Sequence, residues 1–250
     1  MTTMTNVSID PDASLGDLVE SNPEFAPVFE SLGIDYCCGG SQSLSAACEA
    51  NDLEIEAVRD RLEGALTDDD ANDTAPEWNS LTQLTNVIVW EHHRPLRTDL
   101  PDLEALVEKV ARVHGDSHPE LREAEAEFRE LKADILEHVD DEELIAFPIV
   151  KKLDTGTELA ADEREDLLAE IESLEDDHDE TAARLERLHE LTDGYQPPED
   201  ACMSYREMLR RLEELERDTH MHVHRENNVL FPKAATKLEE AYGVRPSPSG

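Results

Sequence analysis

The chain has 250 residues and carries 22 lysines and arginines against 61 aspartates and glutamates, which gives a formal net charge of −39. Negative charge on this scale repels nucleic acid and anionic membrane surfaces, so we expect neither as a partner. An acidic disordered chain is the alternative, but apolar residues recur at helical spacing through most of the sequence, which favours a folded helical protein.

The basic residues and the cysteines indicate the compartment. Only 6 of the 22 basic residues are lysines, and this arginine bias, together with the acidity, is typical of proteins from salt-loving microbes. No stretch approaches the roughly 20 apolar residues of a membrane span, and the first residues lack the basic start and apolar run of a signal peptide. Four cysteines are too few for a disulfide scaffold. We therefore expect a cytoplasmic protein of a halophile.

Residues 8–66 are predicted to form a small domain of short helices. This part contains three of the four cysteines and no histidine. Ser14 and Asp17 make a capping box ahead of a helix, and later apolar faces centre on Phe29 and Leu62. Such a small unit buries little apolar surface, so its core is expected to be marginal on its own.

Four long helices are predicted after an acidic linker over 67–77. They run over 79–100, 119–153, 160–191 and 200–242. The short breaks that follow the second and third helices favour antiparallel neighbours. The sequence therefore predicts an all-α chain with an up-and-down four-helix bundle over 78–242 and a disordered tail over 243–250.

An internal repeat joins the second and fourth predicted helices. In both, a glutamate follows a histidine by four positions, and a Phe-Pro pair follows the glutamate by five and six. The copies are His138, Glu142, Phe147 and Pro148, and His222, Glu226, Phe231 and Pro232. His93 and His178 precede the two repeated histidines by 45 and 44 positions. The two halves of the bundle are thus expected to be copies of one helical hairpin.

The repeat has the spacing of a metal site. Residues four apart lie on one face of a helix, about 6 Å apart along its axis, so a histidine and a glutamate can bind one ion while the glutamate bridges to a second. Two bridging glutamates with several imidazoles suit a pair of iron or manganese ions, and the many histidines favour iron. A lone zinc ion needs only four ligands. A single His–Glu pair would more often be a solvated surface contact, but here the pattern occurs twice.

His114 breaks the symmetry of the two halves, because Glu199 lies at the corresponding position of the second half. The sequence therefore predicts three histidines on one metal ion and two on the other, which then has room for a small ligand. The remaining histidines are expected to face solvent or to lie behind the ligands. They are His92, His118, His189, His220 and His224.

At these residues the chain resembles the iron–sulfur cluster repair proteins, a di-iron family with a hemerythrin-like domain. The resemblance runs from about Ser14 to Ala235. It rests above all on the strings Tyr-Cys-Cys-Gly-Gly, which begins at Tyr36, and Glu-Asn-Asn-Val-Leu-Phe-Pro, which begins at Glu226. By position, it implies the ligands His93, His114, His138, Glu142, His178, His222 and Glu226. It also implies two iron ions bridged by the two glutamates and by an oxo or hydroxo group.

The resemblance implies a function as well. The family restores iron–sulfur clusters damaged by nitric oxide or peroxide, so damaged iron–sulfur proteins are the expected partners and iron release the expected means. Cys37 and Cys38, ahead of a Gly-Gly turn, are candidate reactive thiols that could help to transfer iron or electrons; the alternative is a tight turn in which they merely pack. Cys48 and Cys202 are expected to be buried.

Two other function classes also fit this pattern of residues. The same di-iron site could reduce nitric oxide or peroxide as a true enzyme, or it could bind or sense dioxygen or nitric oxide. The paired cysteines favour repair, because a gas carrier has no use for them. Whether the protein counts as an enzyme, and whether it forms a homodimer, are not decided by the sequence.

Overall fold

The computed structural model describes residues 9–66 and 78–244, so the predicted linker and nearly all of the predicted tail lie outside the described residues. The fold is all-α, as predicted. In the described part of the chain, the only β feature is an isolated bridge between Ser14 and Ser43. Contacts divide the chain into two compact units, one of residues 1–79 with 223–232 and one of residues 80–222 with 233–250.

The described residues 9–66 of the first unit form four short helices and one 3-10 turn. They are α1 (Leu15–Ser21), the turn Pro23–Phe25, α2 (Ala26–Ser31), α3 (Leu44–Ala50) and α4 (Ile55–Ala65). The predicted cap of α1 is present, because the Ser14 hydroxyl accepts from the backbone N–H of Asp17 at 3.0 Å. Ser43 caps α3 in the same way. Phe25, Phe29 and Leu62 are fully buried and form the centre of this small core.

The four long helices of the bundle are present, and three of them contain a π-helical segment. The first is α5 (Leu81–Ile88), the π segment Val89–His93 and α6 (Arg94–His114). The second is α7 (Glu120–Asp141), the π segment Glu142–Ala146 and α8 (Phe147–Asp154). The third is α9 (Ala161–Leu191), and the fourth is α10 (Met203–Arg225), the π segment Glu226–Leu230 and α11 (Phe231–Tyr242). None of the described helices combines the length and apolarity needed to span a bilayer.

Each π segment ends two residues before a proline. The prolines are Pro95, Pro148 and Pro232, and α9, which has no π segment, contains no proline. Proline has no N–H to donate, and its ring clashes with the carbonyl one turn earlier in a regular α-helix. A single wide turn changes which carbonyl lies opposite the proline, so the clash is avoided and the helix continues. The Phe-Pro element of the sequence repeat therefore marks the places where the helices widen.

The first long helix is longer than predicted. The expected end at residue 100 is wrong, because α6 continues through Pro101 to His114. The connection to α7 is consequently only 115–119. Phe128 and Leu131 of α7 are fully buried in the main core, which they share with apolar residues of α6, α9 and α10.

Asp154 holds the end of α8 to two other helices. Its carboxylate lies 2.7 Å from the Lys237 ammonium of α11 and accepts from the backbone N–H of Thr82 at 3.0 Å. Burial alone would raise the pKa of Asp154, but the bonds from Lys237 and Thr82 bring it well below its usual value. The carboxylate therefore stabilises the fold in its charged form.

We expect Asp154→Asn to lower the free energy of unfolding at pH 7 by about 1–2 kcal/mol, because it breaks a partly buried charged hydrogen bond. Since the folded pKa is depressed, this contribution is complete above the unfolded pKa of about 3.9 and is lost as the pH falls through the folded value. Urea unfolding of wild type and variant between pH 7 and pH 2 measures it. The exposed Asp116 provides the control Asp116→Asn, and a deficit that stays constant down to pH 2 would contradict the account.

Candidate metal centre

Six of the seven predicted ligands lie together in the structure. Their ligand atoms form two groups, within each of which all atoms are within 4.8 Å of one another. The first group is His93, Glu142, His222 and Glu226; the second is His138, Glu142, His178 and Glu226. All six side chains are buried, and both glutamates have no exposed surface. Each of the two groups thus has two imidazoles of its own, and the carboxylates of Glu142 and Glu226 belong to both groups.

Short distances relate the imidazoles to the shared carboxylate of Glu142. The Nε2 atoms of His93 and His222 are 3.1 Å apart, and those of His138 and His178 are 2.9 Å apart. Oε2 of Glu142 lies 3.2 Å from His93 Nε2 and 3.5 Å from His138 Nε2. Glu142 therefore lies between the two histidine pairs, as expected of a bridging ligand.

The π segments position three of the six ligands. His93 is the last residue of the first segment, and Glu142 and Glu226 are the first residues of the other two. The phenylalanine of the Phe-Pro pair also has a part, since the ring of Phe147 stacks on that of His93 at 5.6 Å. Half of the residues of the site therefore lie in the segments that widen the helices next to a proline.

His93 is oriented from outside by a carboxylate. Its Nδ1 lies 3.0 Å from Oε1 of Glu143, and the Arg97 guanidinium donates to the same oxygen at 3.0 Å. Partial burial would raise the pKa of Glu143, but the hydrogen bonds from Arg97 and His93 lower it below its usual value. A charged Glu143 keeps a proton on Nδ1 and directs the Nε2 lone pair inwards, as carboxylates behind metal-bound histidines do.

His138 has the same arrangement with Asp177. Its Nδ1 lies 3.5 Å from Oδ2 of Asp177, and this hydrogen bond lowers the pKa of Asp177. Glu143 and Asp177 each adjoin a ligand in the sequence, Glu142 and His178. Adjacency to a ligand is the signal that could have identified them.

The donor set fits a pair of iron ions. With its proton on Nδ1, neutral His93 is an acceptor at Nε2, and that nitrogen faces a carboxylate oxygen. Two acceptors at 3.2 Å need a cation between them, either a proton or a metal ion. Fully buried carboxylates are costly without such a charge. Four imidazoles with two shared carboxylates are ligands that iron accepts.

His114 is not part of the site, which corrects the prediction of a fifth histidine ligand. It is the last residue of α6, which begins directly after His93 and has 21 residues. At 1.5 Å per residue, the helix separates the two by about 30 Å. His114 instead lies 3.2 Å from the thiol of Cys202. The predicted inequality of three histidines against two is therefore absent.

The other histidines differ in burial. His92 is buried and stacks on the ligand His222 at 5.1 Å with an interplanar angle of 11°. Its Nδ1 is 3.0 Å from Asp218, so it supports the site from behind. His224 is also buried, and burial lowers its pKa to about 4. His118 pairs with Asp200 near the surface.

The paired cysteines lie in a loop organised by Asp35. One carboxylate oxygen of Asp35 accepts from the N–H groups of Cys37 and Cys38 at 3.0 Å each, and the other accepts from Gly39 at 2.9 Å. Cys37 is buried and Cys38 is partly exposed. The pKa of the Cys37 thiol is raised well above its usual value, chiefly by a hydrogen bond with Cys38 and secondly by burial.

The other two cysteines differ from each other. Cys48 is buried, as predicted. Cys202 is exposed, and the prediction that it is buried is wrong. It lies just before α10, outside the apolar face of that helix, so no core surrounds it.

We expect Glu143→Gln to lower iron affinity by about 10–100-fold, because the amide no longer holds the Nδ1 proton of His93 as firmly. Asp140→Asn is the matched control, since Asp140 contacts Arg97 at 2.6 Å and His93 is oriented by Glu143. Iron competition with a chromophoric chelator measures both variants. An equal loss in both would assign the effect to Arg97 and contradict the proposed role of Glu143.

Two family models match the chain. One, described as a domain of unknown function (DUF542), matches residues 11–66, which include the cysteine pair. The other, the hemerythrin HHE cation binding domain, matches residues 84–234, which include all six grouped ligands.

Relatives match along nearly the whole chain. The iron-sulfur cluster repair protein ScdA of Staphylococcus haemolyticus is 36% identical over 230 residues, which cover 92% of this chain and 99% of the relative. The chain belongs to the iron–sulfur cluster repair protein family. A second member, YtfE of Yersinia pseudotuberculosis, is 32% identical over 223 residues that cover 88% of this chain and 96% of the relative. The family predicted from the two sequence strings is thus confirmed.

Proposed function

We propose that this protein repairs iron–sulfur clusters damaged by oxidative or nitrosative stress, and that it does so by supplying iron from a pair of iron ions. The observation that carries the proposal is the buried set of four histidines and two shared glutamates in a chain whose relatives are named for repair. Damaged iron–sulfur proteins are the proposed partners.

The proposed ligands of one ion are His93 and His222, and those of the other are His138 and His178. Glu142 and Glu226 would be shared by both. Bound there, two iron ions supply iron that can be released and electrons that can be given up. The chain's own part is to keep the ion positions dry, to hold the imidazole nitrogens inwards through Glu143 and Asp177, and to neutralise two positive charges with the shared carboxylates.

Repair is tested by mixing iron-loaded protein with a [4Fe–4S] dehydratase that nitric oxide has inactivated. We expect the wild-type protein to restore dehydratase activity and Glu142→Gln to fail. His114→Ala is the matched control, because it removes an imidazole outside the site and should leave repair intact. If metal-free protein, or Glu142→Gln without iron, restored full activity, repair would not depend on this site.

The same variants separate repair from the other function classes. Reduction of nitric oxide or peroxide would appear as turnover with an electron donor and without any client protein, and a gas-binding protein would show reversible ligation without turnover. The names of the relatives favour neither. A cytoplasmic location and a halophilic source stay predictions that fractionation and growth conditions would test, and sedimentation would decide between a monomer and a homodimer.

A further inference from the structure

Asn228 contacts the cysteine loop directly. It belongs to the Glu-Asn-Asn string, and its side-chain amide donates to the backbone carbonyl of Cys37 at 2.8 Å and to that of Tyr36 at 3.3 Å. The same nitrogen lies 3.3 Å from Nδ1 of His224. The amide therefore makes two hydrogen bonds that a carboxylate of the same shape could not make, because both backbone carbonyls are acceptors.

Two glycines make room for this side chain. A Cβ atom built on Gly40 would lie 2.1 Å from Oδ1 of Asn228, and one built on Gly16 would lie 2.9 Å from its Cγ. The two glycine backbones are joined by a hydrogen bond of 2.8 Å from Gly16 N–H to Gly40 C=O. The second glycine of the Cys-Cys-Gly-Gly string is thus explained by the close approach of Asn228.

The cysteine loop is consequently held at two points. Asp35 accepts from its N–H groups on one side, and Asn228 donates to its carbonyls on the other. Hydrogen bonds to both faces of one short backbone segment restrict how far Cys37 and Cys38 can open to solvent. Of the two residues that hydrogen-bond the loop, only Asn228 belongs to a helix that carries a proposed iron ligand.

Glu226 and Asn228 lie two residues apart in the π segment Glu226–Leu230. We propose that Asn228 is a positioning residue that ties the Cys37–Cys38 loop to this segment, so that the accessibility of the thiols depends on whether iron occupies the site. This inference rests on the proposed function, since it takes Glu226 as an iron ligand.

The physical basis of the coupling is the wide turn itself. Because Glu226 and Asn228 lie in the same wide turn, a shift of the backbone at Glu226 also displaces Asn228. A cation on the fully buried carboxylate of Glu226 favours the arrangement that presents Glu226 to the site. Without that cation the preference weakens, and Asn228, in the same turn, loses its fixed place beneath the loop.

The test is the alkylation rate of Cys38 in the full-length chain, measured by peptide mapping with iodoacetamide in iron-loaded and chelator-stripped protein. In wild type we expect iron removal to raise this rate by about tenfold, the change that corresponds to losing one or two hydrogen bonds. In Asn228→Asp, which keeps the shape and loses the donors, we expect a fast rate with and without iron. Cys202, which is exposed, serves as the internal reference.

A second pair of variants tests the contact between Asn228 and Gly40. Gly40→Ala should raise the Cys38 rate by itself, because its new methyl group meets Asn228. In the double variant Gly40→Ala/Asn228→Ala the rate should be no faster than in Asn228→Ala alone, since both changes break the same contact. Rates that multiply in the double variant would overturn the assignment of this contact.

Iron content, counted on the same samples, separates this inference from the proposed function. Wild type that binds two irons and shows the same Cys38 rate before and after stripping would overturn the coupling and leave the repair proposal standing. Wild type that binds no iron would overturn the repair proposal and the coupling together. In that case an Asn228→Asp rate equal to that of wild type would also overturn the positioning role, and a faster rate would support it.

Discussion

Glu142→Gln is expected to abolish retention of both irons through gel filtration. Glu142 is shared by both groups of ligand atoms and has no exposed surface. Removing one partner of a buried charge pair costs about 3–5 kcal/mol, which is on the order of a hundredfold to several-thousandfold in affinity. Because both ion positions use the same carboxylate, the loss should affect two irons and not one. Iron and protein are measured together by elemental analysis.

His114→Ala is the control for this experiment. The family resemblance implied both His114 and His222 as ligands, but only His222 belongs to a group of ligand atoms. We expect His114→Ala to keep two irons and His222→Ala to lose them. Retention of both irons by Glu142→Gln, or loss of one iron from His114→Ala, would contradict the site described above.

Removal of iron is expected to reverse the order of stability of wild type and Glu142→Gln. With free iron at a thousandfold its dissociation constant, each bound ion adds about 4 kcal/mol to the free energy of unfolding of wild type. Without iron, the buried carboxylate of Glu142 becomes a cost, and the neutral amide should make the variant the more stable protein by about 1 kcal/mol or more. Urea unfolding with iron and with a chelator measures both cases.

The reversal in the order of the two free energies of unfolding, with iron and without it, is what distinguishes the explanations. If Glu142 held the fold together through ordinary hydrogen bonds, Glu142→Gln would be less stable under both conditions. If the variant were less stable only in the presence of iron, the carboxylate of Glu142 would stabilise the protein by binding the metal. Leu131→Ala, a change in the fully buried core, should lower stability equally with and without iron.

The repeat made the grouping of these six side chains predictable from sequence. A histidine and a glutamate four apart must lie on one helical face, and the second copy in the fourth helix indicates that this face points inwards. The structure brings together the six side chains that belong to this repeat or to its matching intervals. Periodicity is a local property of a helix, so it survives without knowledge of the tertiary structure.

The family resemblance implied His114 as a ligand, and the predicted end of the first helix at residue 100 put His114 in the connection after that helix. Pro101 lies inside α6, and the continuing helix carries His114 to the far end of the bundle. The π segments explain how the helices accommodate Pro95, Pro148 and Pro232 with the site intact. No sequence rule distinguishes a proline that ends a helix from one that a wider or regular turn absorbs, because the surrounding packing decides between them.

The contact of Asn228 with Cys37 was also beyond the sequence. The two residues are 191 positions apart. Each lies in a recognisable string, but nothing in the sequence indicates that the two strings are in contact. The side chain of Asn228 fits against the loop because Gly16 and Gly40 have no side chains there. That fit depends on the folded backbone. Tertiary contacts of this kind carry no periodic signal.

The most direct test of the central claim, a pair of iron ions in the buried site, is the iron content and visible spectrum of the purified protein, kept in high salt to screen its negative charge. We predict close to two irons per chain in wild type and in His114→Ala, with the absorption of an oxo-bridged ferric pair, and loss of both signals in His222→Ala. One zinc ion per chain, or no metal after reconstitution with ferrous iron, would contradict the di-iron site.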